Sequence, residues 1–274
     1  MTLKIRNQLL KTFFYISVVT IGISILTLVV CGLTHRIITP PELRIPAFLN
    51  SIPLAKNSLI ATFLGIGILL FYIPITLFFI NRFFENTQST EIVFFGAFLI
   101  GCLCEVSRFF TISFGVWQTF TNLLIFLGNI VLFGRILTPL SLVCASILSE
   151  KEQRQDEERN FLLMVTSAIV FAFLIPMNTA RISSTGLVTE GFMGLLNAVR
   201  VLLVILSMIS FYIRSVRHSN KEYIHLGHSQ MALYFGYTLL ISTDNFLYLI
   251  FGAGLLGSGT YFYLKNLHKM YMWA

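Results

Sequence analysis

Long apolar runs dominate this chain and leave it few ways of folding in water. They recur from Thr12 to Leu264, and each has roughly 18 residues or more, the length that a helix needs to cross a bilayer. Hydrophobic residues make up 56% of the chain and charged residues only 11%, against about 25% charged residues in typical soluble domains. The sequence therefore predicts an all-α, polytopic integral membrane helix bundle.

The number of spans depends on how the last apolar stretch is divided. Between Tyr223 and Leu264 there is too much apolar sequence for one crossing, and residues 242–245 (STDN) supply turn and N-cap residues near its middle. Dividing the stretch there gives eight spans, whereas a single crossing gives seven. The eight predicted spans are 12–33, 58–80, 91–112, 119–148, 160–177, 191–213, 223–241 and 246–264.

The distribution of basic residues favours eight spans and predicts the orientation. With the N-terminus in the cytoplasm, 12 lysines and arginines lie in inner segments and 4 in outer segments. The seven-span model moves Lys265 and Lys269 outside and gives 10 against 6. Because inner loops are normally enriched in basic residues, we expect a multi-pass protein of the cell membrane, such as an inner membrane, with both termini cytoplasmic.

No polar stretch exceeds about 25 residues, too short for a soluble domain, so residues 1–274 are predicted to form a single membrane-embedded domain. The formal net charge of +7 would suggest nucleic acid in a soluble protein. Here the basic residues collect in alternate loops, so the lipid bilayer is the expected partner and nucleic acid is not.

Two loops differ in composition from the rest of the chain. The outer segment 34–57 carries four prolines, which prevent a long helix, and we expect either a packed connector or a lid over a ligand site. The inner loop 149–160 contains five acidic and three basic residues. It is predicted to be either a solvated helical extension or a docking surface for a cytoplasmic partner.

Four charged residues lie inside the predicted spans: Glu105, Arg108, Arg135 and Arg200. A charge in a bilayer costs at least about 2.5–3.5 kcal/mol, so such residues normally pair or line a wet cavity. Glu105 and Arg108 are three residues apart and share one helix face, as do Asn197 and Arg200. Their depths overlap, which predicts one polar cluster between the third, fourth and sixth spans.

Three arginines against one glutamate leave this predicted cluster with a positive excess, which Asp244 is expected to offset in part from the turn before the eighth span. An arginine left unpaired in such a place favours an anionic ligand such as a carboxylate, a phosphate or a lipid headgroup. A structural role is equally compatible with the pattern, with the arginines forming ion pairs and polar contacts between helices.

Other motifs carry less chemistry. His225 and His228 share a face and are weak candidates for metal ligands, but the absence of an HExxH motif or a carboxylate cluster favours interfacial histidines. The pattern Gly254-xxx-Ser258 in the last span fits small-residue packing between helices. The four cysteines lie in apolar runs and are predicted to be structural. We expect no metal and no cofactor.

The sequence contains no phosphate loop, nucleophile elbow or retinal-type lysine. It therefore favours a non-catalytic membrane protein, either a sensor-like binder or a membrane subunit of a larger complex. A secondary transporter of a small anionic substrate is the next hypothesis, since kinked helices are typical of transporters. The third hypothesis is an intramembrane lipid-modifying enzyme, with Glu105 or the histidines as acid–base groups.

Overall fold

The computed structural model describes residues 1–34, 54, 56, 58–87, 89–116, 121–148, 157–183 and 185–272. Within these residues the chain forms nine helices and one β-hairpin, so the predicted helical bundle is confirmed apart from the hairpin. The elements are α1 (Leu3–Thr34), α2 (Leu59–Phe83), α3 (Glu91–Cys104), α4 (Ser107–Phe114), α5 (Thr121–Ile147), α6 (Glu157–Leu174), β1 (Met177–Ile182), β2 (Val188–Glu190), α7 (Met193–His218), α8 (Glu222–Ile241) and α9 (Phe246–Met272).

Six helical segments within the described residues are long and apolar enough to cross a membrane. They are Leu3–Cys31, Leu59–Phe83, Glu91–Phe114, Asn122–Ile147, Met193–His218 and Phe246–Tyr271. The third segment contains both α3 and α4. By their length and apolar composition, these helices are suited to insertion into a membrane.

Helix α8 buries polar as well as apolar side chains inside the bundle. Its Gln230 is 2% exposed and donates to the Leu142 carbonyl of α5 at 2.7 Å. The Gln230 side-chain oxygen accepts from Ser207 of α7 at 2.9 Å. These hydrogen bonds satisfy the Gln230 side-chain amide within the protein, whereas the same amide without partners in lipid would be costly. They also join α5, α7 and α8.

Contacts between helix ends define two ends of the bundle. At the near end, which carries the start of α1, the Arg6 guanidinium donates to the Phe84 carbonyl after α2 at 2.6 Å. At the far end, the Ser58 amide before α2 donates to the Asp244 carbonyl between α8 and α9 at 2.7 Å. Helices α2 and α9 therefore run side by side in the same direction.

Glycines allow the closest helix contacts. A Cβ atom at Gly134 of α5 would overlap the Gly101 carbonyl of α3, and one at Gly236 of α8 would overlap the Leu256 backbone of α9. The backbones of these helix pairs are thus in direct contact. By contrast, Gly254 faces open space, so the small-residue face predicted for the last span was wrong.

The hairpin β1–β2 is an unpredicted element between α6 and α7 at the far end. Its strands are antiparallel, with Met177 opposite Glu190 and Ile182 opposite Val188. Val188 is 3% exposed, and it packs beside Gly128 of α5. The hairpin is therefore packed against helices. In such a position, non-helical backbone can form its hydrogen bonds within the protein.

Candidate functional site: a buried arginine–glutamate cluster

A local change in backbone hydrogen bonding places Glu105. The amides of Glu105 and Val106 donate to carbonyls three residues back, at 3.2 and 3.0 Å, and the Arg108 amide does the same to Glu105 at 3.1 Å. Three-residue hydrogen bonds tighten a helix, and such turns within a helix often mark functional positions. The third predicted span is therefore divided into α3 and α4, with Glu105 at the junction.

The Glu105 carboxylate is the centre of the cluster. It is fully buried, and its Oε1 accepts from Arg135 Nε at 2.7 Å and from the Tyr237 hydroxyl at 3.2 Å. Its Oε2 accepts from Arg108 Nη1 at 3.0 Å and from Arg135 Nη2 at 3.3 Å. The expectation that Glu105 and Arg108 face the bundle interior is confirmed, and one carboxylate binds two guanidinium groups.

Arg108 also forms hydrogen bonds with two other chain segments at the far end, the hairpin turn and the end of α8. Its Nε and Nη2 donate to the Thr185 carbonyl in the hairpin turn at 3.1 and 2.9 Å. Its Nη1 donates to the Ile241 carbonyl, the last residue of α8, at 2.8 Å. A guanidinium with a forked set of donors is suited to this task, and the hairpin turn, α4 and α8 are thereby joined through one side chain.

Glu190, at the end of β2, is the second acid of the cluster, and the sequence analysis missed it. Its Oε2 accepts from Arg200 Nη2 at 2.7 Å and its Oε1 from Arg135 Nη1 at 3.5 Å. The expectation that Asp244 offsets part of the positive charge of the arginines is corrected. The Asp244 carboxylate instead accepts from the side-chain amide of Asn245 at 3.1 Å. The hairpin, rather than the turn before α9, carries the acid to the arginines.

Arg200 is incompletely paired. Its Nη1 donates to Asn197 Oδ1 at 2.9 Å, which confirms that these two residues share a face. Its Nε is buried and has no hydrogen-bond partner among the described residues. A buried donor without a partner costs free energy, and it marks the position at which a further acceptor would be stabilised.

The cluster carries one excess positive charge. Glu105, Arg108, Arg135, Glu190 and Arg200 are each at least nine-tenths buried, and they comprise three guanidinium groups and two carboxylates. The structure thus brings Glu105, Arg108 and Arg135 into direct contact and connects Arg200 and Asn197 to them through Glu190. An arrangement of this composition is suited to binding one small anion.

The remaining candidates lie apart from this cluster. His225 and His228 are exposed near the start of α8, and the His228 ring contacts the Ile224 carbonyl of its own helix at 2.8 Å. Among the residues that the structure describes, no three His, Cys, Asp or Glu side chains are grouped as a metal site requires.

Two predicted loop functions lie mostly outside the described residues. These are the lid at 34–57 and the partner surface at 149–160. Of the second loop, the structure describes the start of α6, where Glu157 lies 3.7 Å from the amino group of Met1.

The chain matches no family model, no curated protein and no solved structure.

Proposed function

We propose that this protein is a non-catalytic, multi-pass protein of the cell membrane that acts as a sensor-like binder of a small anion at the arginine–glutamate cluster. The observation that carries the proposal is the state of Arg200, whose Nε has no described partner in a buried cluster with one excess positive charge. A carboxylate or phosphate oxygen there would satisfy the donor and cancel the charge.

Glu190 occupies the cluster as an internal anion. Because it lies on the hairpin, a ligand that displaces its carboxylate from Arg135 and Arg200 also loosens the hairpin from α5 and α7. The hairpin turn is held by Arg108, which also holds the end of α8. A ligand that prefers the displaced state would shift the population of helix positions, which is how binding would become a signal.

The experiment measures anion binding to the purified protein in detergent, by calorimetry, with acetate, succinate, phosphate and sulfate at constant ionic strength. Glu190→Gln is expected to bind the preferred anion more tightly than the wild type, since it removes the competing carboxylate. Arg200→Gln added to Glu190→Gln should abolish that binding without leaving an unpaired carboxylate. The control is Arg82→Leu, on an exposed side chain at the end of α2.

Weaker binding by Glu190→Gln, or equal binding by the double variant, would reject the proposal. If neither the wild type nor Glu190→Gln binds any of the four anions, the cluster is a structural connection between helices.

We also infer eight spans with both termini cytoplasmic. Six helices are apolar enough to cross, and α6 and α8 supply two more. The Met1 amino group near Glu157 puts the starts of α1 and α6 at the near end, and Lys269 contacts Glu222 to put the start of α8 there as well. Each successive long helix then runs in the opposite direction.

A secondary transporter of a small anion is the second candidate. It is favoured by the α3–α4 junction at Glu105, because discontinuous helices beside a charged site are typical of transporters. Pro74 and Pro139 lie inside α2 and α5 and are further points at which helices bend. Uptake of the bound anion into proteoliposomes would support transport, and binding without uptake would support a sensor.

A lipid-modifying enzyme and a membrane subunit of a larger complex have less support. The enzyme needs a free acid–base group, but four donated hydrogen bonds occupy the Glu105 carboxylate. The subunit needs a surface for its partner. In the most apolar 18-residue stretches of α1 and α7, only 17% and 22% of the residues are buried. Surfaces this exposed suit contact with lipid as well as with a partner.

A further inference from the structure

A groove of about 580 Å³ lies between α2 and α9, and none of its lining residues belongs to the arginine–glutamate cluster. It is lined from Tyr72 to Phe84 on one side and from Gly257 to His268 on the other. The two segments of thirteen and twelve residues rise about 16–18 Å along their helices, close to half of a hydrocarbon core ~30 Å thick. The groove therefore runs from mid-membrane to the near end and has the depth of one leaflet.

The surroundings of the groove are apolar. Ile75, Phe79 and Tyr261 border it, and each is about half exposed in the bundle, with 55, 47 and 60% of its surface accessible. Because these residues lie on helices that cross the membrane, the exposed surface contacts lipid. An occupant of the groove must therefore be soluble in the bilayer.

At the deep end of the groove, the hydroxyl donors of the lining residues are already used within the protein. The Tyr72 hydroxyl and the Thr260 hydroxyl are 2.7 Å apart, and Thr260 also donates to the Leu256 carbonyl at 2.7 Å. Both hydroxyl groups are thus satisfied within the protein. The part of a ligand that reaches this depth is expected to be a hydrocarbon chain.

The shallow end has a different chemistry. Lys265 lies there with its Nζ 5.6 Å from the centre of the Tyr261 ring. The His268 ring packs edge-on against Phe84, with 5.5 Å between ring centres, and its Nδ1 is buried with no partner among the described residues. Lys265 therefore places a cation at the outlet of an apolar groove, and the His268 ring lines the same outlet.

We propose that the groove between α2 and α9 binds one anionic membrane lipid, with an acyl chain along the groove and the phosphate between Lys265 and His268. The charges are complementary, and the outlet lies at the near end, where the basic residues predict the cytoplasmic leaflet that carries anionic lipids. An apolar helix of a partner protein would fill the apolar part of the groove but would leave the Lys265 ammonium group without a counter-charge.

The test counts bound lipid by native mass spectrometry of the full-length protein, with phosphatidylglycerol or phosphatidylcholine of identical acyl chains. We expect one lipid per chain and a preference for phosphatidylglycerol. Lys265→Gln should weaken that preference about five-fold, the effect of one basic side chain near an anionic surface. Lys269→Gln, an exposed neighbour on the same helix that contacts Glu222, is the matched control and should leave it unchanged.

A second pair of variants tests the groove itself. A Cβ atom at Gly257 or at Gly254 meets no atom within 4 Å, so a side chain added at either position starts in open space. Gly257 lines the groove and Gly254 does not. Gly257→Leu should therefore abolish binding of both lipids, whereas Gly254→Leu should bind like the wild type. His268→Phe keeps a ring against Phe84 and should reduce the preference for phosphatidylglycerol.

Three outcomes would overturn the proposal. They are equal binding of the two lipids by the wild type, an unchanged preference in Lys265→Gln, and full lipid binding by Gly257→Leu. Binding of soluble glycerol phosphate in place of the lipid would show that the groove outlet is a site for free phosphate compounds instead of a lipid site. A partner protein that co-purifies with the wild type but not with Gly257→Leu would show a helix-docking surface.

Discussion

Arg200 Nη2 lies 2.7 Å from Glu190 Oε2, so that the third turn of α7 is joined to the last residue of the preceding strand. The two residues are ten apart in sequence and both are buried. The pair closes the short connection between the hairpin and α7. Removing either charge therefore changes the position of the hairpin as well as the electrostatics of the cluster.

Arg200→Leu is expected to lower the free energy of unfolding by about 3–5 kcal/mol, because it leaves the buried Glu190 carboxylate with only the longer contact to Arg135. Changing both residues, in Glu190→Gln with Arg200→Gln, should cost less than the sum of Glu190→Gln alone and Arg200→Gln alone. Unfolding in mixed micelles, followed by circular dichroism, measures the wild type, these two single variants and the double variant. Strict additivity would show that the pair contributes no coupling energy.

Glu105→Gln should destabilise the protein more than Glu190→Gln does. Two guanidinium groups share the Glu105 carboxylate at hydrogen-bonding distance, so its loss leaves two buried positive charges without their common partner. We expect a loss of about 3–5 kcal/mol, again from unfolding in mixed micelles. Glu85→Gln, at a largely exposed side chain, is the control. A similar loss of stability in Glu85→Gln would contradict the role of Glu105 as the common partner of the two arginines.

Gly134→Ala should separate α5 from α3. The added methyl group overlaps the Gly101 carbonyl, which is backbone and cannot turn aside, so a loss of about 1–3 kcal/mol is expected. Gly128→Ala is the control on the same helix, because its methyl group would lie 3.5 Å from Val188, an ordinary contact. Thermal denaturation of the two variants should show a lower melting temperature for Gly134→Ala alone.

The proposed eight-span topology predicts a cytoplasmic C-terminus. Green fluorescent protein fused after residue 274 should fluoresce, and alkaline phosphatase fused there should be inactive, because it requires the oxidising compartment outside the cytoplasm. A fusion after residue 245 should give the opposite pair of signals. An active phosphatase at the C-terminus would restore seven spans.

Asp244 predicts a pH dependence of stability. Burial in the turn between α8 and α9 raises the pKa of its carboxyl group. The folded state then binds the proton more tightly than the unfolded state, so stability falls as the pH rises from the ordinary pKa through the raised one. Asp244→Asn should be more stable than the wild type above that window, by less than about 1 kcal/mol because the side chain is only partly buried.

That advantage of Asp244→Asn should vanish below the ordinary pKa of the carboxyl group, where the wild type is protonated in both states. Melting temperatures of the two proteins across the acidic range measure the difference. A difference that does not change with pH would mean that the Asp244 carboxylate is not disfavoured by folding.

Residue spacing predicted much of the cluster because its members lie inside apolar runs. Glu105 and Arg108 stand out there as charges three residues apart, and Arg200 stands out as a charge three residues after the polar Asn197. Glu190 does not stand out, since it immediately precedes the sixth predicted span and so falls outside the apolar runs. The β-branched pair Val188-Thr189 before it was the one local signal of a strand that carries this acid into the bundle.

The packing faces of α9 show a limit of small-residue patterns. Gly254-xxx-Ser258 has the expected spacing, yet Gly254 faces open space, while Gly252 and Gly259 of the same helix contact α8. Two faces of α9 carry small residues, and spacing alone does not distinguish them. The choice depends on Gly236 of α8, whose position opposite α9 is a property of the tertiary fold.

The order of the cluster residues along the chain has a consequence for biosynthesis. Glu105 and Arg108 leave the ribosome together as a neutral pair, and Arg135 then adds one positive charge. Glu190 follows and cancels that charge, ten residues before Arg200 restores it. The running sum of the cluster's charges along the chain therefore never exceeds one in either sign.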